Sequence, residues 1–166
     1  DIGAHAAIEH IATETRSLDD RVKVLRVLVT TLTSEGSREA ALEVASRTHE
    51  EVLRDPTDPL TSSERLSELM MMWSVLVDPR HIDHIAIAAE SAARKAATPA
   101  WQNRALRKLS ESFVVARDFE NAARLIPELS ELDQRTSAWI DLLQGLVSSD
   151  HRRDGLLLLA SGEVDK

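Results

Sequence analysis

The chain has no cysteine among its 166 residues, which excludes disulfides, thiolate metal sites and cysteine nucleophiles together. Aromatic residues make up only 3% of it and glycine occurs five times, scattered, so there is no Gly-rich loop to cradle a phosphate. No nucleophile elbow occurs either, and catalysis within this chain is not expected. Long apolar runs are missing too. The stretch 156–160 falls far short of the roughly 18 to 20 residues a membrane span requires. No basic start followed by an apolar run marks a signal peptide, and we expect a cytoplasmic protein. An excess of basic charge is also absent. The formal net charge is -8, which disfavours a nucleic-acid ligand because phosphate binding rests on clustered Lys and Arg.

What is present favours helices. The chain is 43% hydrophobic and 29% charged, rich in Ala, Leu, Glu and Arg, with no alternating strand pattern. Its length suits one domain burying about two-thirds of the surface of the unfolded form. It opens on Asp1 rather than Met, so we expect residues 1–166 to be one helical domain cut from a longer protein.

Helix starts recur with little between them. Thr61-Ser62-Ser63-Glu64 reads as a capping box, and Ser17-Leu18-Asp19-Asp20 as a looser one. Asp78-Pro79 and Thr98-Pro99 each set a capping side chain before a proline at the first helical position. Polar breaks fall at Gly36-Ser37, Arg117-Asp118 and Ser149-Asp150. These marks predict about nine helices, over 3–14, 18–33, 38–53, 62–77, 79–97, 99–115, 119–129, 134–148 and 151–161. All but one of the links are short, which makes neighbours antiparallel. The exception carries Pro56 and Pro59 and is predicted to be a loop or hinge. Pro127 should end or kink its helix early.

The helices also pair into a repeat. A shift of about 33 residues lays Ala105 on Ala138, Leu109 on Leu142, Phe113 on Leu146, Ala122 on Gly155 and Leu125 on Leu158. The patterns Leu106, Leu109, Phe113, Ala122 and Trp139, Leu142, Leu146, Gly155 resemble the tetratricopeptide-like helical repeats. Ser110 and Leu143 stand where that signature usually has Gly or Ala, and its closing proline is absent. The resemblance covers about the last 65 residues. It also extends to divergent repeats of large actinobacterial regulatory proteins that lie beside a nucleotide-dependent switch domain. It implies an all-α fold, helical hairpins stacked as a short right-handed α-solenoid, and a scaffolding or sensing role without a cofactor.

On that reading the first helix of each pair supplies an inner face for a protein or peptide partner. Arg104, Arg107 and Lys108 are its polar candidates, part of a basic cluster with Arg94 and Lys95, and Met71 and Trp73 its apolar ones. Three adjacent methionines, Met70 to Met72, cannot all face one side of a helix, so at least one should be exposed or meet a neighbouring element. The alternative is a central helix covered on two sides. The acidic group Glu128, Glu131 and Asp133 complements the basic cluster, which makes end-to-end self-association a further expectation. A different class of function rests on His81 and His84, three apart with Asp78 and Asp83 close by, the spacing of a metal pair. A complete site needs ligands from another helix, which the sequence does not identify. A purely structural oligomerisation segment is the third reading.

Overall fold

Why these segments are helical is settled at their ends. The computed structural model describes residues 17–148 together with His10, Glu14 and Thr15. Among them every regular element is helical: α1 (Leu18–Ser34), α2 (Arg38–Arg54), α3 (Pro59–Val75), α4 (Pro79–Arg94), α5 (Pro99–Val115), α6 (Phe119–Leu125), a 3₁₀ turn (Ile126–Glu128) and α7 (Leu132–Ser148). That is seven helices where the sequence predicts about nine. Of the two remaining expectations, 151–161 lies outside the described residues, and within 3–14 only His10 and Glu14 are described, both helical.

Thr98 caps α5 through the Trp101 amide at 3.2 Å, and Pro99 takes the first helical position, as predicted. The start of α3 differs. Asp58, not the Thr61 segment, caps that helix, accepting from the amides of Leu60 and Thr61 at 3.0 and 3.1 Å. The Thr61 hydroxyl donates to Asp58 as well, at 2.6 Å, so the expected cap is a donor to the real one. The predicted loop therefore shrinks, with Pro59 inside the helix rather than before it. Pro127 ends α6 and tightens the chain into the 3₁₀ turn.

The turns after α1, α3 and α5 share one backbone design. A left-handed residue, Gly36 (φ 81°), Val77 (φ 55°) or Arg117 (φ 62°), follows the helix. The next amide then reaches back five residues: Ser37 to Leu32 at 2.8 Å, Asp78 to Trp73 at 3.5 Å, Asp118 to Phe113 at 2.9 Å. This closes the orphan carbonyls at each helix end and sends the chain back along it.

Packing follows two patterns. Each hairpin packs on itself, α1 with α2, α3 with α4 and α5 with α6, while the first helices also pack in series, α1 on α3, α3 on α5 and α5 on α7. The core runs through both sets. Leu25, Leu28, Leu69, Met72, Leu109 and Leu142 are buried from the first helices, and Ala41, Ala45, Ala89, Ala93, Ala122 and Ala123 from the second. The small residues let second helices approach closely. Gly145 does the same in α7: a Cβ there would lie 2.6 Å from Val114 Cγ1. Met70, Met71, Met72 and Trp73 are all buried, because α3 packs against α1, α2, α4 and α5. No helix among the described residues is long and apolar enough to cross a membrane.

Candidate functional site

The first helices turn charged residues toward one another across a groove. Asp19 and Lys23 of α1, Glu64, Arg65 and Glu68 of α3, and Arg104, Arg107, Lys108 and Glu111 of α5 line a cavity of about 280 Å³. Its charges are paired between helices. Glu68 is 4% exposed and bridges two neighbours, with Arg26 Nε at 2.7 Å and Lys108 Nζ at 3.0 Å. Arg104 Nε lies 2.6 Å from Glu64, and Arg107 pairs with Asp141 of α7. Lys108 also has Glu111 at 3.5 Å. Arg65 reaches Asp19 at 2.5 Å and Asp55 at 2.6 Å. Burial works against the Arg65 charge, yet hydrogen bonds to the two aspartates outweigh it and hold the guanidinium above its ordinary value.

Arg104, Arg107 and Lys108 therefore share one groove, as the sequence suggests, but it is a mixed-charge surface rather than a basic one. The sequence reading missed the carboxylates. Their signal was available: Glu64 and Glu68 are four apart on α3, matching the spacing of Arg104 and Lys108 on α5. Arg94 lies elsewhere. It pairs with Glu90 at 2.8 Å and with Glu128 of the 3₁₀ turn at 2.7 Å, so a member of the basic cluster meets a member of the acidic group within one chain. Glu90 also takes Arg124 of α6 at 2.7 Å. The Arg124 hydrogen bond, with Arg94 beside it and against burial, lowers the Glu90 carboxyl to about 2.

Met71 and Trp73, the apolar binding candidates, are 3% and 2% exposed. They belong to the core rather than to an accessible face, since α1, α2, α4 and α5 all pack against α3. His81 and His84 are not brought to a common ligand. His84 is exposed, while His81 stacks on Trp73 with ring centroids 4.0 Å apart and planes 6° from parallel. Among the described residues no group of three or more His, Asp or Glu is arranged to hold a metal ion.

The chain matches no family model, no curated protein and no solved structure. The reading of the groove rests on its own geometry.

Proposed function

We propose that the protein is a helical-repeat interaction module, a cytoplasmic scaffold or sensor segment of tetratricopeptide-like type, without catalytic activity of its own. Its hairpins are read as a short right-handed α-solenoid, and the face formed by α1, α3 and α5 as the place where a protein or peptide segment docks. The observation that carries this is the groove, to which three successive first helices contribute charged side chains of both signs. A partner bearing both acidic and basic side chains fits it best. Such a segment can exchange ion pairs with Arg104, Glu64 and Lys108 without stranding a desolvated charge, whereas a partner of one sign would leave the opposite set unpaired.

A charge swap separates this reading from a merely structural pairing. Glu64→Arg with Arg104→Glu keeps the intramolecular ion pair but inverts the pattern offered to a ligand. Partners recovered by pull-down with the wild type are expected to be lost with the swapped protein, and with Arg104→Glu or Arg107→Glu alone, while circular dichroism of the swapped protein is unchanged. Retention of the same partners by a folded swapped protein would refute the groove as the docking face.

A further inference from the structure

A second cluster lies outside the groove. His49 of α2, Trp73 near the end of α3 and His81 in the first turn of α4 bring three rings from three helices together. Trp73 and His81 are stacked, and His49 stands edge-on to both, with centroids 6.1 Å from the indole and 5.8 Å from the imidazole. Trp73 Nε1 and His81 Nδ1 are buried without a hydrogen bond. The Asp78 carboxylate is 3.1 Å from His81 Nδ1 but lacks a hydrogen bond's alignment. Ring contact therefore joins the three side chains to one another.

The charges around the cluster are few. Glu50 adjoins His49 on α2, and Asp78 precedes α4, where Asp83 and His84 are exposed. Glu64, Arg65 and Glu68 of α3 are committed to the groove pairs. On α1, which packs against α2, Arg21 is paired with Glu51. Arg38 of α2 donates to the Leu76 carbonyl at the end of α3.

We infer that His49, Trp73 and His81 form a proton-operated latch, which clasps α2 and α4 to the end of α3 at neutral pH and loosens α2 when the His49 imidazole is protonated. The His81 ring lies over the Trp73 face, with the Asp78 carboxylate beside it. An imidazolium at His49 would be half-buried, edge-on against both rings and partly withdrawn from water. Burial first, and the neighbouring His81 second, already hold His49 below the ordinary imidazole value, against a smaller opposite pull from Glu50. Because the folded form binds this proton more weakly than the unfolded chain, the stability involved is intact above about pH 6.5 and declines as the pH falls below it.

The test uses the full chain carrying Trp101→Phe and Trp139→Phe, so that Trp73 is its sole indole. Thermal unfolding and Trp73 emission are followed from pH 8 to pH 5, with and without His49→Gln. The parent is expected to lose thermal stability across this range and to show a step in emission, and His49→Gln should flatten the stability loss. NMR titration of the imidazole Cε1 protons in the parent reads His49 directly, without depending on how any histidine variant folds. A His49 midpoint at or above the ordinary histidine value of about 6.5, or a His49→Gln stability profile parallel to the parent's, would overturn the latch.

Discussion

Replacing Glu68 with glutamine is the sharpest test of how the groove is held. Glu68 is buried in the middle of α3, with one oxygen on Arg26 of α1 and the other on Lys108 of α5. Glutamine keeps its volume and removes its charge. Its carbonyl can still accept from Arg26, but its amino group then faces the Lys108 ammonium, donor against donor. Deleting one partner of a fully buried pair costs about 3–5 kcal/mol, because the other is left desolvated and alone. Here the orphans are less confined: the Arg26 and Lys108 side chains are 34% and 26% exposed, and Lys108 retains Glu111. We therefore expect a loss of about 2 kcal/mol. For a domain of this size that lowers Tm by about 4–8 °C. Urea unfolding should show a lower midpoint at an unchanged slope. The Glu68→Gln, Lys108→Met double-mutant cycle should give a coupling of about 1 kcal/mol or more. Stability of Glu68→Gln within about 0.5 kcal/mol of the wild type would refute the reasoning, leaving apolar contacts alone to hold α1, α3 and α5 in series.

Two further outcomes follow from the turns and the second helices. Val77→Gly should stabilise the protein by about 0.5–1 kcal/mol in urea unfolding, because relief of about 1–2 kcal/mol of left-handed strain exceeds the added freedom of the unfolded chain. Val77 is 75% exposed, so little burial is lost, and Gly36 already occupies the matching position after α1. Glu90→Gln should cost about 1–2 kcal/mol at pH 7, a figure reduced for the 21% exposure of the Glu90 side chain. Since the folded carboxyl is held at about 2 against an ordinary value of 4.5, Glu90's contribution is present above about pH 4.5 and is lost as the pH falls toward 2. The gap between variant and wild type, read by urea unfolding across that range, should close accordingly.

Helix α5 was legible from sequence to the residue, because Thr98-Pro99 is a local signal and its chemistry is satisfied locally. The start of α3 was not. Pro56 and Pro59 together read as a break, yet proline at the first helical position suits the helix once Asp58 caps it. The methionine run was half legible. Periodicity says that Met70 to Met72 cannot share one side, but it cannot say how many sides of α3 are covered. The groove divides in the same way. Its cations stand out as a run on α5, while their carboxylates across the groove come from α3 and α7 and become neighbours only when the register between hairpins is set.

Apolar packing and ion pairs both bear on that register. Burial as such has no direction, and the close seat of Gly145 against Val114 constrains only where α7 meets its neighbours. Ion pairs do discriminate. Glu90 with Arg124, Arg94 with Glu128 and Arg107 with Asp141 all join residues 34 apart, the first between second helices, the second between α4 and the 3₁₀ turn that follows α6, and the third between first helices. A slip of one turn along α6 would set Arg124 beside Arg94 and leave Glu90 with Arg94 alone, exchanging attraction for like-charge contact. The ion pairs on both sets of helices thus favour the same displacement between successive hairpins, the one in which the groove has its observed pattern of charges.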